Sequence, residues 1–71
     1  MKMYFVTYDY LVGGKYRPQS VRFFARNAKE ACRTIKENYY EHIEWLVENG
    51  MSYSKAKRQT RWPFHISAEA M

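Results

Sequence analysis

The chain has 71 residues, a net charge of +5 and an aromatic content of 18%, and a chain of this length forms a single domain, here residues 1–71. Its one cysteine, Cys32, excludes an internal disulfide, and no apolar run approaches the roughly 18 residues of a membrane-spanning helix. Because the N-terminus has no signal-peptide pattern and the single cysteine forms no internal disulfide, we expect a cytoplasmic protein without a membrane partner. The positive net charge favours anionic partners such as nucleic acid.

The charges are unevenly distributed along the chain. Residues 1–26 hold five basic residues against one acidic residue, and residues 51–71 hold four against one. Residues 27–50 hold three basic residues against five acidic residues. The two ends are therefore basic and the middle is acidic, so we expect an anionic partner to meet the ends.

The first third of the chain predicts a β-hairpin. Residues 3–12 are rich in aromatic and β-branched side chains, which favour a strand. Gly13 and Gly14 can both adopt a positive φ at little cost, which indicates a two-residue turn before a second strand over residues 15–26. Pro18 has no backbone N–H to donate, so this second strand is expected at an edge of the sheet.

The hairpin divides its side chains between two faces. Counting outward from the glycine turn, Tyr4 faces Phe23 on one side of the sheet and Phe5 faces Arg22 on the other. We expect the side with Tyr4 and Phe23 to form the core. Phe24 then falls on the uncovered side, although it is the neighbour of a core residue.

A long helix is predicted over residues 28–49. Asn27 is a good N-cap, and a glutamate three residues later can complete a capping box. Apolar residues then recur at intervals of three and four positions, and an Asn-Gly pair forms a C-cap signal at the other end. A break near Tyr39 and Tyr40, which would give two shorter helices, is the alternative.

The last third predicts a short basic helix over about residues 53–60 and a strand over about residues 62–69. Apolar side chains occupy every second position of this strand, as in a half-buried strand, and they are Trp62, Phe64, Ile66 and Ala68. The expected architecture is α+β with the order ββααβ. It has a three-stranded antiparallel sheet of order 2-1-3, one long helix on one face, and the short basic helix before the last strand.

The side of the hairpin away from the long helix carries Phe5, Arg22, Phe24 and Arg26. One interpretation is a stacking platform, on which exposed rings accept the bases of single-stranded nucleic acid while the arginines meet phosphates. The other interpretations are that the C-terminal segment covers this side, or that a partner protein or a second copy of the chain does. We expect these four residues to contact the partner.

A second group of candidate binding residues is basic and consists of Lys55, Lys57, Arg58 and Arg61. A basic helix of this kind can lie along phosphates. The alternative is a solvated helix face, because the run has no helix-turn-helix spacing, RNA-binding consensus or Cys/His zinc pattern beside it.

Three residues have the chemistry that catalysis or metal binding would need: Cys32, His42 and His65. Cys32 lies on the apolar stripe of the long helix, where a buried thiol is ordinary, and the two histidines are too few for a structural zinc site. The chain has no phosphate-binding glycine loop. We therefore expect no enzyme activity, no cofactor and no metal.

The segments VRFFARNAKEA, ENGMSYSKAKR and WPFHISAEA together resemble small orphan proteins of bacterial phages and other mobile elements. The resemblance implies a small accessory regulator, or an inhibitor that binds a host protein or a nuclease complex, and it assigns no role to any residue. The sequence favours a non-catalytic module that binds nucleic acid or a nucleic-acid-handling complex. The alternative is an interaction or inhibitor module that binds a host protein, with a homodimer as one form.

Overall fold

Three antiparallel strands and two helices make up the protein in the computed structural model, which describes all residues from Met1 to Met71. The elements in chain order are β1 (Lys2–Val12), β2 (Lys15–Ala25), α1 (Ala28–Glu48), α2 (Tyr53–Gln59) and β3 (Phe64–Ala70). β1 lies in the centre of the sheet, between β2 and β3. The predicted α+β class, the order of the elements and the strand order are confirmed.

Gly13 and Gly14 form the turn of the β1–β2 hairpin, with φ angles of 58° and 78°. Glycine adopts such positive values readily because it has no Cβ, so this pair allows a two-residue turn. The register that follows from the turn places Tyr4 opposite Phe23, as predicted. Pro18 lies on β2, which is an edge strand, so its missing N–H breaks no pairing with a further strand.

The core lies between α1 and the face of the sheet that α1 covers. Its buried side chains are Tyr4, Val6, Ala25, Ala31 and Ile35. Partly buried apolar side chains pack against this cluster, and they are Tyr8, Val21, Phe23, Ile66 and Ala68. The prediction that Phe23 belongs to the core is therefore confirmed.

α1 is one continuous helix of 21 residues, so the alternative of two shorter helices is wrong. At its start, the Asn27 Oδ1 accepts a hydrogen bond from the backbone N–H of Glu30 at 2.8 Å, an N-cap that contributes about 1 kcal/mol. At its end, Gly50 has a φ of 96°, and the N–H of Met51 donates to the carbonyl of Leu46 at 3.1 Å. This Schellman geometry stops the helix where the Asn-Gly pair predicts.

α2 packs against α1 and contacts none of the strands. The Ser52 Oγ accepts a hydrogen bond from the N–H of Lys55 at 3.4 Å and caps the helix. Ala56 is its one buried residue. α2 is therefore attached to the rest of the molecule through α1 alone.

β3 begins at Phe64, two residues later than predicted. Pro63 is buried immediately before the strand and has no N–H to offer a ladder. The Trp62 ring packs edge-on against Tyr39 of α1, with 4.8 Å between the ring centroids. Packing against the helix therefore keeps both residues out of the sheet.

A β-bulge interrupts the pairing of β3 with β1. Thr7 faces Ser67, but Asp9 faces Phe64, so β1 advances by two residues while β3 advances by three. His65 lies in this bulge with a φ of 55°, in the left-handed region that non-glycine residues rarely adopt. Because of the extra residue, Phe64 does not lie on the same face of the sheet as Ile66 and Ala68, although the sequence pattern placed the three together. This is a second correction to the expected β3.

Candidate binding surfaces

The sheet has one face covered by α1 and one face without cover, which we name the open face. Strand alternation and the register assign the side chains to it. On β1 they are Met3, Phe5, Thr7, Asp9 and Leu11; on β2, Tyr16, Pro18, Ser20, Arg22 and Phe24; on β3 and after it, Phe64, His65, Ser67, Glu69 and Met71.

One end of the open face is an apolar row formed by Phe24, Met3 and Met71. Met3 faces Phe24 of β2, and on its other side its carbonyl accepts a hydrogen bond from the N–H of Met71 at 3.0 Å. Phe24 is 61% exposed and Met71 is 68% exposed. The predicted position of Phe24 on the uncovered side is confirmed. The alternative that the C-terminal segment folds over this side is wrong, because Met71 extends the sheet instead.

In the next row of the open face, an aromatic ring lies between a positively charged and a negatively charged side chain. Phe5 faces Arg22 on β2 and Glu69 on β3. The guanidinium carbon of Arg22 lies 5.9 Å from the centroid of the Phe5 ring, within the range of a cation–π contact. Sequence reasoning found Phe5 and Arg22 but missed Glu69, because its position depends on the β1–β3 register.

The far end of the open face is a polar and aromatic cluster around the bulge. The Nδ1 of His65 and the Oδ2 of Asp9 are 2.9 Å apart, in hydrogen-bond contact. The ring of Tyr16 meets His65 at 4.9 Å and Phe64 at 5.6 Å between centroids. His65 is exposed and Asp9 is partly buried, so solvent screens the pair and it contributes less than about 1 kcal/mol. No local sequence signal predicts this cluster, since the two residues are 56 positions apart.

Arg26 lies beyond the end of β2 and belongs to the start of α1 rather than to the open face. Its Nε is 3.6 Å from the Oε2 of Glu30, in the first turn of the helix. Arg26 precedes the Asn27 N-cap, so this contact joins the residue before the helix to the first turn of the helix. Arg26 and Arg22 therefore do not form the matched pair of flanking arginines that the sequence predicts.

The remaining predicted site residues are Lys55, Lys57 and Arg58 of α2 and Arg61 just after it, and we name these four cations the basic surface. None of the four lies within 4.0 Å of a carboxylate. The ring of Tyr53 is 62% exposed and lines a shallow depression with Lys57 and Arg58. The basic surface thus combines unpaired cations with an accessible aromatic ring.

The open face and the basic surface lie on different layers of the molecule. α1 covers the face of the sheet opposite the open face, and α2 contacts α1 but no strand. Phe5, Arg22 and Phe24 are brought together on the sheet, whereas the basic surface belongs to the helical layer. One continuous surface of all eight predicted residues is therefore not formed.

A cleft of about 360 Å³ separates the hairpin end of β1 from the helical layer. Its walls include Tyr8 and Tyr10 of β1, Tyr39 and His42 of α1, and Arg61. Burial raises the pKa of the Tyr8 phenol, and the neighbouring Tyr10 raises it further through its charge and a hydrogen bond. The sequence did not predict this cleft, because its walls come from β1, α1 and the segment after α2, which only the tertiary fold brings together.

The remaining chemically reactive groups are dispersed. Cys32 is a free, half-buried thiol on α1. No three side chains of His, Cys, Asp or Glu lie close enough together to hold a metal ion. Neither helix combines the length and the apolar character that crossing a membrane would require.

Comparison of the chain with protein-family models, with curated proteins and with solved structures found no match. The two surfaces and the cleft are therefore interpreted through their own chemistry. Their side chains offer stacking, ion pairing and apolar contact.

Proposed function

We propose that the chain is a non-catalytic binding module that engages nucleic acid, or a complex that handles nucleic acid, through the basic surface. The observation that carries this proposal is the presence of four cations within seven residues, none of them within 4.0 Å of a carboxylate. Such cations are neutralised by solvent counterions, which phosphates can replace. Release of those counterions drives the electrostatic part of nucleic-acid binding.

Two other cations of the protein, Arg26 and Arg33, differ from these four. Arg26 lies beside Glu30 and Arg33 lies 3.4 Å from the Oε1 of Glu37. A phosphate that bound either of them would have to compete with a carboxylate already in place. The basic surface has no such competitor, which favours it as the phosphate contact.

Tyr53 supplies a second element of recognition. Its ring is exposed beside Lys57 and Arg58, so a base of a single strand can stack on it while the adjoining phosphates meet the cations. Stacking on one aromatic side chain contributes about 1 to 3 kcal/mol and tolerates different bases. The arrangement favours single-stranded nucleic acid with little sequence preference.

The proposal predicts a steep dependence of oligonucleotide affinity on salt. We expect the double variant Lys57→Ala/Arg58→Ala to bind a labelled single strand about tenfold more weakly at physiological salt. The slope of log affinity against log salt should decrease in magnitude by about 1.4, since each lost phosphate contact on a single strand removes about 0.7. Fluorescence anisotropy over a salt series measures both quantities.

The matched control is the double variant Lys29→Ala/Arg33→Ala, which removes the same charge from the beginning of α1. It should retain most of the affinity and the original slope. An equal loss in both double variants would show that only the net charge matters, and the absence of any salt-dependent binding by the wild-type chain would refute the proposal.

The second candidate function is a protein-interaction or inhibitor module that binds its partner through the open face. The observation that favours it is the apolar row of Phe24, Met3 and Met71 beside charges of both signs. A phosphate-binding surface gains nothing from the carboxylates of Asp9 and Glu69, whereas a protein partner can pair with both signs. The resemblance to small proteins of phages and mobile elements is compatible with either candidate function.

A further inference from the structure

We propose that the open face is the interface of a homodimer, in which a second copy packs its own open face onto it around a two-fold axis along β1. This inference specifies the occupant of the open face and thus rests on the second candidate function. It is independent of nucleic-acid binding by the basic surface, since α2 packs on α1, which covers the other face of the sheet. The whole assembly would be a sandwich of two sheets between two helical layers.

The position of the axis decides which residues meet. A rotation about an axis along β1 keeps each residue at the same height along the strands and exchanges β2 with β3. Phe24 then lies opposite Met71 of the second copy, and Met3 lies near its own equivalent. The apolar row, of which two side chains are more than 60% exposed, becomes buried along its whole width.

The charges of the second row are self-complementary under the same rotation. Arg22 lies opposite Glu69 of the second copy, and Glu69 lies opposite Arg22 of that copy. Neither side chain has an ion-pair partner within its own chain. The dimer therefore forms two equivalent Arg22–Glu69 pairs on either side of the Phe5 rings, and it leaves neither charge unpaired on an apolar surface.

The middle of the open face fits this arrangement as well. Thr7, Ser20 and Ser67 are short and let the two sheets approach closely at the middle. Asp9 lies near the axis and would face its own equivalent, and its Oδ2 is in hydrogen-bond contact with the Nδ1 of His65 of its own chain. The like charges are thus the weakest element of the interface, and the two Arg22–Glu69 pairs outnumber them.

The size of the open face permits a weak association. β1 and β2 have 11 residues each and β3 has 7, so at about 3.3 Å per residue and about 4.8 Å between strands the face of one copy covers about 460 Å². The two copies together bury about 900 Å², which is the size of a weak, transient interface. We expect a dimer whose population increases with concentration in the micromolar range.

A charge-exchange experiment tests this arrangement. Sedimentation velocity of the wild-type chain over a concentration series should show a monomer–dimer equilibrium. The single variants Arg22→Glu and Glu69→Arg should each be monomeric or have a dimer dissociation constant at least about tenfold higher, because like charges then oppose each other. An equimolar mixture of the two variants should restore the dimer, since each copy then offers the charge that the other needs.

The mixture distinguishes this dimer from non-specific association of apolar surfaces. The double variant Arg22→Glu/Glu69→Arg should also dimerise, and Lys55→Glu, a charge reversal on the basic surface, should leave the dimer unchanged.

A wild-type chain that stays monomeric at millimolar concentration overturns the proposal. So does a dimer that both single variants retain, or a mixture that stays monomeric. Loss of oligonucleotide binding in Arg22→Glu without a change of mass would make nucleic acid the occupant instead.

Circular dichroism and the melting temperature show whether each variant is folded, and both substituted positions are exposed. The oligonucleotide titration of Lys57→Ala/Arg58→Ala gives an independent result. Failure of the dimer with intact salt-dependent binding would refute this inference alone, and the reverse outcome would refute only the first candidate function.

Discussion

Phe23 and Phe24 are neighbours in the chain, yet they lie on opposite faces of β2. Phe23 packs against the core beneath α1, and Phe24 is 61% exposed on the open face. The same chemical group therefore meets two different environments one residue apart. The difference allows the contributions of the two faces to be measured separately with one pair of substitutions.

We expect Phe23→Ala to lower the free energy of unfolding by about 3 kcal/mol, the lower end of the range for core phenylalanines, because its ring is only partly buried. Phe24→Ala should change it by less than about 0.5 kcal/mol in the dilute monomer. Chemical denaturation of both variants measures the difference. A larger loss in Phe24→Ala than in Phe23→Ala would mean that the two faces are assigned in the wrong order.

The raised pKa of Tyr8 makes stability depend on alkaline pH. The phenol ionises near pH 10.0 in the unfolded chain, but burial and the neighbouring Tyr10 raise its pKa in the folded chain. The unfolded state therefore releases the proton first. The stabilisation is complete below pH 10.0 and is lost as pH increases through the raised value.

Tyr8→Phe should therefore show a smaller decrease in melting temperature between about pH 9 and pH 11 than the wild-type chain. Tyr53→Phe is the matched control, because it removes the hydroxyl of an exposed ring outside the cleft, and it should retain the wild-type decrease. Identical pH profiles of Tyr8→Phe and the wild-type chain would contradict the role of this phenol.

The elements differ in how they are attached to the molecule. β1 pairs with a strand on each side and contributes Tyr4 and Val6 to the core. α2 contacts only α1 and buries Ala56 alone. A short helix with so little buried apolar area opens more often than the elements around it.

Amide hydrogen exchange should reveal this difference. We expect the amides of α2 to exchange at least about tenfold faster than those at the centre of β1, because α2 can detach without breaking the sheet. Exchange measured by mass spectrometry after peptic digestion resolves the two segments. Protection of the α2 amides equal to that of Val6 would show that the molecule opens only as a single unit.

Most of the helices and strands were predictable from the sequence, because their boundaries are determined by residues within a few positions of each boundary. The glycine turn determines the hairpin register, and the Asn27 cap and the Gly50 stop bound α1. The start of β3 and its bulge were not predictable in this way. They depend on Trp62 packing against a helix 23 positions earlier in the chain and on Asp9 meeting His65 across the sheet.

At the scale of the whole molecule, the protein is a flat body of 38 × 28 × 14 Å with a sheet on one side and helices on the other. The two groups of predicted binding residues consequently lie on different layers of the molecule. Sequence position alone could not separate them, because the side on which α2 packs is decided by tertiary contacts. Glu69 was not predicted for the same reason, since its place beside Phe5 requires the β1–β3 register.

The bulge in β3 also affects how the protein resists aggregation. An edge strand presents unpaired N–H and C=O groups that can recruit a foreign strand, and β2 protects its edge with Pro18. β3 has no proline or lysine, but the bulge at His65 confines its regular pairing with β1 to the four residues from Ser67 to Ala70. An incoming strand therefore finds only a short straight edge, which hinders the lateral growth of fibrils from this side of the sheet.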